Sequence, residues 1–130
     1  MLTRVDGLRL AAGRRFFEAV ALRALGRTHS LFKQYVMSLR FHEESLRIQR
    51  DLGKKIDVAE GLLFLAEDLE ISGDYEKCLK AFADSENIFR ELGVLEQAQK
   101  IQIEVARLKE FSKEVVEDEY IMNKFHVDNY

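Results

Sequence analysis

The chain has 130 residues, with 47% hydrophobic and 33% charged residues and a net charge of -3. This length fits one domain, and the composition excludes a disordered chain and a membrane protein. We therefore treat residues 1–130 as a single domain. The only cysteine, Cys78, cannot form an internal disulfide or hold zinc by itself, so a cytoplasmic, reducing compartment is expected.

The charge is unevenly distributed along the chain. Residues 1–35 carry a net charge of +5, whereas residues 110–130 carry -4. An arginine-rich, acid-poor N-terminus is also typical of an organelle transit peptide. Organelle targeting is therefore the alternative to a cytoplasmic location.

Apolar residues recur at helical spacing through almost the whole chain, and no strand pattern is needed to explain it. Leu22, Leu25 and Phe32, for example, fall on one predicted packing stripe. Glycines and short polar clusters interrupt the pattern at Gly13, 33–34, 53–55, 72–74 and Gly93. This punctuation predicts helices near 3–12, 15–32, 35–52, 57–72, 75–92 and 96–120, followed by a loose tail at 121–130.

The sequence contains an internal repeat. Shifting the chain against itself so that residue 19 meets residue 59 aligns 19–53 with 59–93, and ten of the 35 aligned positions are identical. The identical pairs are Ala19/Ala59, Leu22/Leu62, Leu25/Leu65, Tyr35/Tyr75, Leu39/Leu79, Ser45/Ser85, Ile48/Ile88, Arg50/Arg90, Leu52/Leu92 and Gly53/Gly93. Two antiparallel helices repeated at this period are typical of an α-solenoid, in which neighbouring pairs bury one another's apolar faces.

The residues of the second copy resemble the tetratricopeptide repeat. They are Ala59, Leu62, Leu65, Ala66, Leu69, Gly73, Asp74, Tyr75, Leu79, Phe82 and Ser85, and the first copy matches at Ala19, Leu22, Leu25, Gly26, Tyr35, Leu39 and Ser45. The 40-residue period is similar to the extended repeats of kinesin light chains. The resemblance implies an all-α fold of stacked antiparallel helix pairs. It also implies that 96–120 is a partial repeat or a capping helix.

The motifs of common catalytic and metal sites are missing. The sequence has no glycine-rich phosphate loop, no paired-histidine zinc motif and no nucleophile elbow. We therefore expect no enzymatic activity, no cofactor and no metal site. His29 and His42 are interpreted as packed histidines with a satisfied nitrogen, and Cys78 as a small buried residue with an inert thiol. The carboxylates of Glu60, Glu67, Asp68 and Glu70 are interpreted as a solvated helix face.

The N-terminal arginines could contact phosphates, but no aromatic residues alternate with them and the whole chain is acidic. We therefore expect neither a nucleic-acid partner nor a membrane partner. The predicted helix 57–72 instead carries more apolar residues than its own partner helix needs. Leu63, Phe64 and Ile71 lie on a second side of it.

In the tetratricopeptide family the first helices of the repeats line a concave groove. The resemblance therefore implies a protein-interaction module without catalysis that holds a partner peptide or helix, with groove residues Arg23, Arg27, Leu31, Leu63, Phe64, Glu67, Glu70 and Ile71. A competing interpretation packs Leu63, Phe64 and Ile71 between neighbouring repeats. The alternative function is a self-assembling structural or scaffold domain, such as a homodimer, or a fragment of a larger regulatory repeat protein.

Overall fold

A computed structural model describes the backbone of residues 3–128 and the side chains of 3–113, 121 and 122. Within this range the chain forms five helices and no strand. They are α1 (Arg4–Leu31), α2 (Tyr35–Leu52), α3 (Lys55–Ser72), α4 (Tyr75–Glu91) and α5 (Leu95–Asp128). The prediction of an all-helical chain is confirmed.

Each of the first four helices is followed by a tight turn that contains one residue in the left-handed region. The φ angles are 61° at Lys33, 78° at Gly53, 83° at Gly73 and 75° at Gly93. Lys33 and Gly73 occupy equivalent positions of the repeat, and so do Gly53 and Gly93. The repeat is therefore visible in the backbone of the turns as well as in the sequence.

One hydrogen bond joins the two helices within each pair, at equivalent positions of the repeat. The Ser45 hydroxyl of α2 donates to the Ala19 carbonyl of α1 at 2.6 Å, and the Ser85 hydroxyl of α4 donates to the Ala59 carbonyl of α3 at 2.8 Å. All four residues are buried. The two pairs therefore share one packing arrangement at equivalent positions, which is consistent with a helical repeat.

The main core lies between α3, α4 and α5. Phe82 of this core is 4% exposed, and so is Leu62. A smaller cluster of Leu46, Val58 and Leu62 joins α2 to α3. Adjacent helices along the chain thus share apolar side chains, and the second helix pair is held by packing on both of its sides.

Two predicted boundaries differ from the structure. α1 runs through Gly13 without the predicted break between 3–12 and 15–32. A glycine inside a helix costs only about 1 kcal/mol relative to alanine, which the surrounding helical residues offset. α5 runs through the predicted tail as far as Asp128, while residues 129 and 130 lie outside the described range.

α5 has a buried apolar side and an exposed side on which polar residues lie beside Leu95 and Ile103, which are 55% and 67% exposed. Ala98, Ile101 and Leu108 are buried. Gln99, Gln102 and Lys109 are exposed, although they stand one repeat period after Ala59, Leu62 and Leu69, which α3 buries. Polar residues at these three outer positions are typical of a capping helix of a repeat array.

The outward side of α1 shows the opposite character. Leu25 and Phe32, which the sequence places on a packing stripe, are 43% and 73% exposed. The expectation that they pack is wrong because no described helix lies on that side of α1. α2 packs on the Ala19 side, through the Ser45 hydrogen bond.

Candidate functional site

The side chains that join α1 to α3 form a compact cluster. The guanidinium carbons of Arg23 and Arg27 lie 4.3 and 4.7 Å from the centre of the Phe64 ring. Arg27 also donates to Glu67 with an Nη1–Oε2 distance of 2.8 Å. Because residues four and three apart share a helix face, Arg23 and Arg27 meet Phe64 and Glu67 across the gap between the helices. We call these four residues the Arg–Phe–Glu cluster.

A second ion pair continues this face from α3 to α5. Arg107 donates to Glu70 at 2.8 Å and to Glu104 on its own helix at 2.8 Å. The hydrogen bonds to Glu70 and Glu104 hold the pKa of Arg107 above its usual value. The Arg–Phe–Glu cluster, Glu70 and Arg107 together form a surface on the three odd-numbered helices, which we call the inner face.

The structure brings five of the eight predicted groove residues onto the inner face: Arg23, Arg27, Phe64, Glu67 and Glu70. Leu63 instead packs against the main core, as the competing interpretation holds for this residue. Leu31 and Ile71 are 79% and 56% exposed at the last turns of α1 and α3. They contribute no described contact to the cluster.

Sequence reasoning missed Arg107, which completes the inner face. Arg107 stands one repeat period after Glu67, and Glu67 stands one repeat period after Arg27. The repeat period therefore indicated residue 107 as the position on α5 equivalent to Arg27 and Glu67. The charges at this position alternate from one odd-numbered helix to the next.

A buried histidine–aspartate pair lies behind this face, between α2 and α3. His42 Nε2 and Asp68 Oδ2 are 2.5 Å apart, and their side chains are 1% and 6% exposed. Asp68 was expected on a solvated face, and that expectation is wrong: its carboxylate accepts from the imidazole in the interior. The space beside the pair is about 10 Å³, which is too small for a ligand.

The only thiol of the chain is also kept away from solvent. Cys78 is fully buried, as predicted, and burial raises the pKa of its thiol to about 11. A thiol this weakly acidic is a poor nucleophile at neutral pH.

Among residues with described side chains, no group of three or more His, Cys, Asp or Glu is arranged to hold a metal ion. None of the described helical segments has the length and hydropathy to cross a bilayer.

No family model, no curated protein and no solved structure matches the chain.

Proposed function

We propose that the protein is a non-catalytic interaction module of tetratricopeptide-like helical repeats, and that its inner face is the groove that holds a peptide or helix of a partner protein. One observation carries this proposal. The Phe64 ring lies under two arginine side chains at the surface between successive helix pairs, rather than within the core.

The inner face has the chemistry of a recognition surface. Arg23 makes no ion pair with any residue whose side chain is described, so its guanidinium is available to a carboxylate of the partner. The ring beneath it offers an apolar surface to a neighbouring side chain. Partly buried arginines and aromatic residues are the types that dominate binding energy at protein interfaces. The partner segment is therefore expected to carry an acidic residue next to an apolar one.

The ion pairs that flank the ring would set specificity. Arg27 pairs with Glu67, and Arg107 with Glu70. A partner that enters the groove must align its own charges with these four, since like charges brought together would weaken binding. Charges of this kind affect the rate of association and its salt dependence more than the final affinity.

Selection of peptides from a random display library on the full chain tests the proposal. The selected peptides are then titrated against the wild type and two charge-reversal variants. Arg23→Glu should weaken binding about tenfold or more, because a desolvated arginine–carboxylate contact is worth about 1.5–3 kcal/mol. Arg40→Glu, at an exposed position on α2, should leave binding unchanged. Equal affinity of both variants and the wild type would place binding elsewhere and overturn the proposal.

The proposed role fits a reducing compartment such as the cytoplasm. The one thiol, Cys78, is buried and free, so the fold gains nothing from an oxidising environment.

A further inference from the structure

An apolar stripe runs along the outward side of α1. Its large members on the helix are 49% exposed at Leu10, 70% at Phe17 and 43% at Leu25, the exposed Ala21 lies at its centre, and Phe32, 73% exposed, continues it at the C-cap of α1. At 100° per residue these five positions fall within about 40° of Ala21 around the helix, on the side opposite to buried Ala19. We call them the α1 stripe.

The repeat indicates that this side of α1 is suited to another helix. The position of α3 that is equivalent to Ala21 is Gly61, and a Cβ on Gly61 would lie within 3 Å of side-chain atoms of Leu46 and Gln49 on α2. The equivalent side of α3 is therefore covered by a helix. On α1 no described residue covers it, although its side chains there are larger and more apolar.

The stripe is arranged symmetrically about Ala21. Leu10 and Phe32 lie eleven positions to either side of it, and Phe17 and Leu25 lie four positions to either side. If two copies of α1 pack antiparallel with Ala21 facing Ala21, each phenylalanine meets a leucine of the other copy. The smallest side chain then lies where the helices cross, which permits close approach.

We propose that a second copy of the chain covers the α1 stripe, with the two α1 helices antiparallel across a two-fold axis at Ala21. The charges on the stripe favour this arrangement. Arg14 faces the partner's Thr28, and the two Arg14 side chains are about 21 Å apart along the helix axis. That is beyond the screening length of about 8 Å at physiological salt. A parallel pair would place the same two charges side by side.

The far end of the molecule argues against a head-to-tail chain of copies. There α5 presents exposed Gln99, Gln102 and Lys109 beside exposed Leu95 and Ile103, so at three positions the apolar stripe would face amides or an ammonium group. A second α1 stripe offers apolar groups at matching positions, because the mirrored spacing about Ala21 places apolar side chains opposite one another. The contact is therefore isologous, so it closes after two copies.

The molar mass of the full chain in solution tests the proposal. At about 100 μM, where an interface of standard size is occupied, light scattering should give twice the mass of one chain. Phe17→Glu should halve that mass without changing the circular dichroism spectrum, because Phe17 touches little of its own chain. Ile103→Glu, at an exposed position on α5, should leave the dimer intact. A monomeric wild type, or a Phe17→Glu variant that stays dimeric, would overturn the proposal.

Two further variants test the two-fold geometry. Ala21→Cys should give a disulfide-linked dimer under mild oxidation, whereas Ile103→Cys should not. Thr28→Glu should tighten the dimer several-fold at low salt, because each new carboxylate would face Arg14 of the other copy, and added salt should remove the gain. Crosslinking that is equally efficient at both cysteine positions, or a weaker Thr28→Glu dimer at low salt, would contradict the antiparallel arrangement.

Discussion

Gly61 on α3 lies directly against the side-chain amide of Gln49 on α2. A Cβ added at Gly61 would be 2.5 Å from Gln49 Oε1 and 2.9 Å from Leu46 Cδ2. Both distances are shorter than a normal van der Waals contact, and both neighbouring side chains are buried. Because Gly61 has no side chain, α2 and α3 can approach closely. This close approach also sets the distance between the two helix pairs.

Gly61→Ala should destabilise the protein by about 1–3 kcal/mol, the usual cost of extra volume in a packed interior. The higher helix propensity of alanine would not offset this loss of stability. Gly13→Ala is the matched control, because no atom lies within 4 Å of a Cβ at that position. It should stabilise the protein by about 1 kcal/mol through helix propensity. Urea denaturation of both variants checks the pair, and a stabilising Gly61→Ala would show that the helices are free to move apart.

The serine hydrogen bonds should contribute alike to the two helix pairs. Ser45→Ala and Ser85→Ala each remove one buried hydroxyl that donates to a helix carbonyl, so each should lower the free energy of unfolding by about 1 kcal/mol. Ser112→Ala, on α5 beyond the end of the core, provides a comparison and should change it by less than about 0.5 kcal/mol. A clear effect at one repeat serine and none at the other would contradict the structural equivalence of the pairs.

The buried pair of His42 and Asp68 should be strongly coupled. Asp68→Leu leaves the imidazole buried without its partner, which should cost about 3 kcal/mol. The double variant with His42→Leu should recover much of that loss, because two apolar side chains need no partner. Glu44→Ala, which breaks the exposed pair with Arg47, should have little effect. A double-mutant cycle measured by denaturation checks the coupling, and additive losses would disprove it.

The thiol of Cys78 should react only when the protein opens. Its pKa of about 11 exceeds the usual value of 9.0 because of burial. The neutral thiol therefore stabilises the folded state below about pH 9, and that stability is lost as the pH rises through about 11. Alkylation at pH 8 should be slow in buffer and fast in denaturant. Rapid alkylation of the folded chain would mean that the thiol is accessible.

The helices were predictable because apolar spacing and turn residues are local signals. The equivalence of Ser45 with Ser85 and of the turns at Gly53 and Gly93 followed from the internal repeat, and the resemblance to the tetratricopeptide repeat included the buried Leu62 and Phe82. The break at Gly13 was wrong because a single glycine costs too little to end a long helix. Spacing also could not pair His42 with Asp68, which lie far apart in the sequence and on different helices.

The candidate site was predictable only in part. Arg23, Arg27, Phe64 and Glu67 share helix faces that the sequence displays, and the structure brings them together. Leu63 lies one position from Phe64 but turns toward the core. Which of two adjacent apolar residues faces inward depends on where the neighbouring helices lie, and a single helix does not contain that information.

The most direct test of the proposed groove measures stability and binding on the same Phe64→Ser variant. The ring lies under two arginines at the surface, so its loss should lower Tm by no more than about 4 °C. It should weaken binding of the library-selected peptide about tenfold or more. Phe82→Ala, in the core, should instead cost about 3–5 kcal/mol of stability. A Phe64→Ser variant that melts much earlier yet binds the peptide as well as the wild type would show that Phe64 serves only to hold α1 against α3 and that the groove lies elsewhere.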